Sequence, residues 1–442
     1  MRPLLSILLA VLATAPIAHA VTDEDRTLVY REFRTLFDAR RYQEALPVAE
    51  KLIALTQQQY GDGTRALVNP LANLATTNFR LRNYPAAETS YLRSVEIMEA
   101  TDGNTDRQLV RPLQGLGETY LALEQYEDAA LALKRAVDLS RNLDGLFNAG
   151  QLEIIAPLVT TYAALGRNDE AEKEHQYSIR VAENVYGKSD PRILDPLQSY
   201  ARWLESVSRF TTARAMYARA LSIAESNGGR GTLVGVDPLV GIARTYRLEF
   251  LYGGEEEPVA SDPFASGLAM DSTNAQRLNP DGERALRMAL MAIERTNPVP
   301  HDRKGATLIE LGDWYLSGGA TAKSLETYGE AWIELNVAGS TEPLNAPRLV
   351  AYRGPPASVA RSRLSAEDAE ERFVEVRFTV TREGRTTDVE TVGSDATESM
   401  QRSVQSAVKK ARYGPKIENG TAVDATGVTL RERLLVKRSK DG

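Results

Sequence analysis

The chain has 442 residues and a mass of 48.6 kDa, with 43% hydrophobic and 26% charged positions. It contains no cysteine and three histidines, which excludes disulfides, thiolate nucleophiles and Cys-ligated metal and leaves too little imidazole for His-based catalysis or a multi-His metal site. Its 53 basic and 60 acidic residues give a net charge of −7, the wrong sign for nucleic acid, and residues 345–442 alone carry 18 Lys/Arg against 14 Asp/Glu, so an acidic body precedes a mildly basic tail.

The N-terminus reads as a processing signal. Met1-Arg2 is a short positive start, Leu4–Ala15 an apolar run, and Ala18-His19-Ala20 a small-x-small cleavage pattern. Residues 1–20 are therefore expected to be a signal peptide, with the mature chain starting near Val21. A spanning helix needs about 20 apolar residues, and neither this run nor any later one supplies them. An exported chain without cysteine and without an integral span after cleavage fits the periplasm of a Gram-negative bacterium.

Past Val21 the chain repeats itself. Gly61, Gly103, Gly145, Gly187 and Gly229 are each 42 residues apart, as are Ala45, Ala87, Ala129, Ala171 and Ala213. A turn position keeps the same step through Tyr42, Tyr84, Tyr126, Asn168 and Phe210. Three series in register define a repeat protein. Ala87, Tyr91 and Ser94 recur as Ala129, Leu133 and Ala136, as Ala171, His175 and Ser178, and as Ala213, Tyr217 and Ala220. That i, i+4, i+7 spacing is one face of a helix, helix B. Twelve residues upstream Ala75, Gly117, Val159, Ala201 and Ala243 mark helix A, followed three positions later by Asn78, Tyr120, Tyr162, Leu204 and Tyr246.

Each unit thus reads helix A, short turn, helix B, with the periodic glycine closing helix B in a left-handed conformation. Pro70, Pro112, Pro196 and Pro238 keep the period within helix A, and Pro157 falls one turn late. Either helix A starts beside these prolines, or a bend recurs in every unit. In the sixth unit the helix B triad is delayed to Ala285, Ala289 and Ala292, so residues 253–282, rich in Gly and Pro, are expected to form an inserted loop. A seventh unit carries Gly312 and Tyr315, then Ser324, Tyr328 and Ala331.

These residues resemble the tetratricopeptide repeat, in the 42-residue version of kinesin light chains. The resemblance implies a mainly α solenoid of about seven helix pairs over residues 21–340, with helix A lining a protein-binding groove. Positions beside the small residue but off the packing stripe point into that groove: Arg111, Gln114 and Glu118, then Gln198, Arg202 and Glu205, then Arg244 and Arg247. The arginines are candidates to clamp the carboxylates or backbone of a bound peptide.

Residues 341–371 read as a linker, and from Arg372 the period switches to two. Val374, Val376, Phe378 and Val380 alternate with polar residues, Arg382–Arg385 turns, and Thr386–Val392 returns. Met400, Val404, Ala407, Val408 and Ala411 mark a helix face, and Val428, Leu430, Leu434 and Val436 a last strand, interrupted on the same side by Glu432. The expected order over 372–438 is β-β-α-β, a small α+β domain. Pro355-Pro356 with Ala360-Arg361, Val376-x-Phe378-x-Val380 with Gly384, Val392-Gly393-Ser394, Arg412-Tyr413-x-Pro415 and Gly420-x-x-Val423 together resemble the TonB C-terminal domain. Its Gly-x-Gly before the first strand is replaced by Ala369-Glu370-Glu371-Arg372. The resemblance implies docking by strand addition to an exposed edge, here Thr426–Lys437, with Thr429, Arg431 and Arg433 facing out. It implies as partner an envelope protein such as an outer-membrane TonB-dependent receptor.

No phosphate loop, HExxH or G-x-S-x-G motif occurs. Ser406-x-x-Lys409 lacks its companion motifs, Glu255-Glu256-Glu257 reads as a solvated run, and His175 sits in the packed helix B triad. The sequence therefore describes a non-enzymatic periplasmic interaction scaffold without cofactor or nucleic-acid partner. An alternative is a TonB-type energy transducer that keeps its N-terminal segment as an anchor.

Overall fold

The computed structural model describes residues 22–103, 105–228, 231–253, 278–355 and 369–437. The expected signal peptide, most of the 253–282 insertion with Glu255–Glu257, Gly229, and the Ala360-Arg361 lead-in lie outside them. The chain forms two compact units, divided at Val181/Ala182.

The first unit holds the pairs α1 (Asp23–Asp38) with α2 (Tyr42–Tyr60), α3 (Val68–Arg80) with α4 (Tyr84–Asp102), and α5 (Val110–Ala122) with α6 (Tyr126–Asp144). Next come α7 (Gly150–Ala164) and most of α8 (Asn168–Tyr186). The spacing read from the sequence is the packing seen: Ala87, Ala129, Leu133, Ala136 and Ala171 are fully buried, with Tyr91 and His175 nearly so. Helix A approaches closely enough that a Cβ on Gly115 would collide with the Tyr91 ring.

Two backbone devices repeat with the period. Helix A ends on a left-handed residue at Arg40, Arg82, Glu124, Gly166 and Ser208, all 42 apart. At each, the next residue's N–H reaches back five positions, as from Asn83 to the Asn78 carbonyl (2.9 Å) and from Gln125 to Tyr120 (2.9 Å), which satisfies carbonyls at the helix end. Gly61, Gly103, Gly145 and Gly187 end helix B with φ of +77° to +94°.

The prolines resolve in favour of the first alternative. A single 3-10 turn, such as Arg65–Leu67 or Arg107–Leu109, precedes helix A, so Pro70 and Pro112 fall in its first turn. Their missing N–H would have had no helical partner there. Pro157 alone of this series lies well inside its helix, α7.

The second unit continues with α9 (Leu194–Ser206) and α10 (Phe210–Gly228), α11 (Val236–Tyr252) and α12 (Pro280–Glu294), and α13 (His301–Ser317) and α14 (Thr321–Val337). Pro280-Asp281-Gly282, expected in the inserted loop, instead open α12. Asn279 caps its N-terminus by accepting from the Asp281 N–H at 3.0 Å, and Pro280 takes the first helical position.

The tail builds the expected β-β-α-β order from longer strands and adds short ones. The 341–371 segment, expected as a linker, contains β1 (Arg348–Ala351). Then come β2 (Ala369–Val380), β3 (Thr386–Ser394), α15 (Glu398–Lys410), β4 (Arg412–Gly414), β5 (Lys416–Glu418), β6 (Thr421–Val423) and β7 (Ala425–Lys437). The principal sheet has the order β3-β2-β7, both pairs antiparallel, while β1 pairs with β4 and β5 with β6. Val374, Val376, Phe378 and Val380 pack with Val404, Val408, Tyr413 and Leu434 as one core. Gly384, at φ +75°, has no room for a Cβ beneath the Tyr413 carbonyl, and its own carbonyl accepts from the Tyr413 N–H at 3.0 Å. The hairpin turn is thereby fixed to the helix exit.

This domain is seated on the last helix pair. Ile417 of β5 joins Leu308, Tyr328, Ala331 and Leu335 in a shared cluster, with Trp332 and Ala422 against it.

Candidate interaction surfaces

Two kinds of surface follow from this architecture: the helix A face within each unit and the free edge of the sheet. In the first unit, Gln114 donates to Glu118 (2.9 Å) along α5, while Arg111 is exposed one turn earlier. In the second unit, Gln198 is half-buried and Arg202 exposed on α9.

The remaining helix A candidates of the second unit, Glu205, Arg244 and Arg247, are gathered into an alternating ladder of charge. Glu205 contacts Arg244 at 3.1 Å, and Arg244 reaches Glu310 of α13 at 3.4 Å. Glu310 also meets Arg247 (3.3 Å), which lies 4.0 Å from Asp313. Asp313 then pairs with Arg348 of β1 and accepts from the Tyr328 hydroxyl at 2.6 Å. Burial raises the Glu205 carboxyl above its ordinary range against the pull of Arg244. Burial works against the Arg244 charge, but Glu310 and Glu205 together hold the guanidinium above its ordinary value. Arg244 and Arg247 are thus neutralised from within the chain. The ladder does not bring Gln198 or Arg202 into these pairs.

The ladder continues into the segment ahead of the sheet. Arg247 donates to the Val350 carbonyl (3.5 Å), and Arg353 donates to the Leu251 carbonyl at the end of α11 (2.9 Å). The Tyr352 N–H donates to the Tyr252 hydroxyl at 3.3 Å, while the Tyr352 hydroxyl donates to Glu432 of β7 at 3.0 Å. That bond accounts for Glu432, the charge that interrupts an apolar row. Burial and then the Glu432 carboxylate push the Tyr352 hydroxyl well above its ordinary range.

Glu310, Asp313, Arg348 and Tyr352 were not singled out from the sequence. Asp313 was within reach: it stands one residue after Gly312, as Arg202 follows Ala201 and Arg244 follows Ala243. Tyr352 had no such signal, because its two partners are separated from it by 100 and 80 residues.

At the sheet, β7 occupies one end of the strand order and pairs, among the described residues, with β2 alone. Their register is unbroken from Phe378↔Val428 to Ala369↔Lys437. Thr429, Arg431 and Arg433 are exposed, whereas Val428, Leu430, Glu432, Leu434 and Val436 are half-buried or buried on the other side. Arg431 lies 3.8 Å from the Phe373 ring centroid, and Arg433 is 3.4 Å from Glu371.

The other sequence candidates do not assemble a reactive centre. Ser406 and Lys409 are both exposed on α15. His175 is buried, and desolvation lowers its pKa to about 4. Among the described residues no group of acidic or imidazole side chains is placed to hold a metal ion, and no helix is long and apolar enough to cross a membrane.

Helix pairs of this period and the β-β-α-β domain after them are the arrangement of tetratricopeptide repeats and a TonB-type domain. The chain contains tetratricopeptide repeats, matched over residues 34–100, 67–142 and 152–226, and a Gram-negative bacterial TonB protein C-terminal domain, matched over 363–431. Among solved structures it is similar to a putative kinesin light chain of Podosopora anserina with nearly identical TPR-like repeats (16% identity, 46% of this chain and 95% of that one, TM-score 0.43). It is also similar to the apo form of RapI (12% identity, 71% and 99%, TM-score 0.43) and to pilF of Pseudomonas aeruginosa (16% identity, 52% and 94%, TM-score 0.35). No curated protein sequence matches it significantly. Tetratricopeptide repeats mark a protein–protein interaction scaffold, and the TonB-type domain an envelope-related one.

Proposed function

We propose that the protein is a non-enzymatic scaffold of the Gram-negative periplasm. In its second unit the helix A face holds one protein or peptide, through Gln198 and Arg202, while the TonB-type domain docks on an envelope partner by strand addition at β7. The observation that carries the reading is the position of β7 at the end of the sheet, with Thr429, Arg431 and Arg433 exposed along it. Unpaired backbone groups on such an edge supply affinity, and alternate side chains supply selectivity.

The test is in-cell photo-crosslinking from positions 429 and 433, set against position 406 on α15. Edge-specific capture of one outer-membrane protein, lost in Arg431→Pro, is the expected result. Equal capture from all three positions removes the edge as the docking site. Sequencing the mature N-terminus separates the scaffold from an anchored transducer: a start near Val21 leaves no anchor for force transmission, and retention of residues 1–20 favours the transducer.

A further inference from the structure

The geometry points to the kind of strand that β7 accepts: a peptide alternating apolar residues with carboxylates, two of which sit beside Arg431 and Arg433. The inference rests on the strand-addition reading above.

On its outer face the sheet pairs opposite charges between neighbouring strands. Glu390 on β3 lies opposite Arg377 on β2, with 3.4 Å between their charged groups. One row further, Glu375 on β2 lies opposite Arg431 on β7, and Arg433 contacts Glu371. Both β7 cations therefore have a carboxylate on the inner side, and the next strand position outward is unfilled among the described residues. Opposite charges directly across an antiparallel pair are favourable and like charges unfavourable. The continuation of this pattern is an acidic residue beside each arginine, two positions apart on the incoming strand.

Arg431 is held ready for such a neighbour. Its guanidinium stacks on the Phe373 ring, 3.8 Å from the centroid. Stacking engages the flat face and leaves the in-plane N–H groups to grip a carboxylate. Arg433 keeps 70% of its side chain exposed despite Glu371, so its cation is open to a second partner.

On the opposite side of β7, Val428, Leu430 and Val436 are only half-covered at the margin of the core. Apolar residues at alternate positions of an added strand would complete that cover. Thr429 opposes no acid on β2, since its partner is Arg377. It leaves room for a neutral residue at the end of the acidic pair.

The probes are three synthetic ten-residue peptides alternating valine with aspartate, with serine or with lysine, titrated against the full chain. Two cross-strand pairs predict that the aspartate peptide binds about fivefold to tenfold tighter than the serine one, with the lysine peptide weakest. The gap should narrow at high salt, because both cations are exposed. The double variant Arg431→Glu, Arg433→Glu, whose changed side chains lie at the surface, should invert the order. If all three peptides bind alike and Arg431→Pro abolishes binding, the acidic class is wrong while strand addition stands. If no peptide binds, or if neither the proline nor the charge-reversed variant alters binding, strand addition at β7 fails with it.

Discussion

At the scale of single residues, the left-handed position that ends helix A shows how the repeat tolerates a local cost. Arg40, Arg82, Glu124 and Ser208 adopt positive φ where Gly166 does so freely, at a cost of roughly 1–2 kcal/mol for a side-chain-bearing residue. The reach-back hydrogen bond that follows makes the conformation worthwhile. Glu124→Gly should accordingly raise stability, by up to about 1 kcal/mol once the looser unfolded chain is counted, measured by urea denaturation. Gly384 is the opposite case. Its conformation and the Tyr413 carbonyl above it exclude any side chain, so Gly384→Ala should cost at least about 2 kcal/mol and disorder the β2–β3 turn in amide exchange. His175 makes a pH-dependent contribution. Its folded pKa of about 4 lies below the ordinary 6.5, so between those values the unfolded chain holds a proton that the folded chain does not. The His175 contribution should be flat above pH 6.5 and fall toward pH 4, by at most about 3 kcal/mol. His175→Leu, matching Leu133 in the preceding unit, should flatten that slope in melts taken at pH 7 and pH 5.

At the scale of elements, spacing in the chain was a sound guide wherever one face of a helix or strand is buried. Ala213, Tyr217 and Ala220, or Val374 through Val380, owe their positions to that rule alone. The period also hides contacts between successive repeats that composition does not reveal. Glu99 pairs with Arg135 at 2.5 Å, Arg141 stacks 4.0 Å from the Tyr177 ring, and Glu183 pairs with Arg219. Each contact spans 36 residues and stands one 42-residue step from the next. One register position thus keeps a mating surface while its chemistry changes from ion pair to cation–π and back. What stayed illegible was β1, four residues without alternation, whose strand state depends on pairing with β4 some sixty residues away. The arginines expected to line a groove were equally opaque: Glu310 and Asp313 decide that Arg244 and Arg247 are spent internally. Tyr352→Phe should leave the Glu432 carboxylate without its donor, destabilising the domain by about 1–3 kcal/mol, with faster amide exchange along β7 as the local readout.

At the scale of the whole molecule, the second unit is not a string of helices with a tethered tail. The TonB-type domain shares Ile417 and Ala422 with the α13–α14 cluster, and Val350 of β1 and Arg353 just after it bond to Arg247 and Leu251 of α11. Its stability should therefore depend on residues before its first long strand. A fragment of residues 369–442 lacks β1 and Tyr352, and should melt roughly 5–10 °C below one of residues 342–442, by circular dichroism.

The β2–β7 ladder has a mechanical side as well. Because its register runs without interruption from Val428 to Lys437, tension applied along β7 loads every rung together, in shear. The same tension applied across the strand would open the rungs one after another, as a zip opens. Tyr352, bonded to Glu432 midway along and to Tyr252 behind it, rivets that ladder to the helices, so a pull along the edge is borne by the last repeats as well as by the sheet.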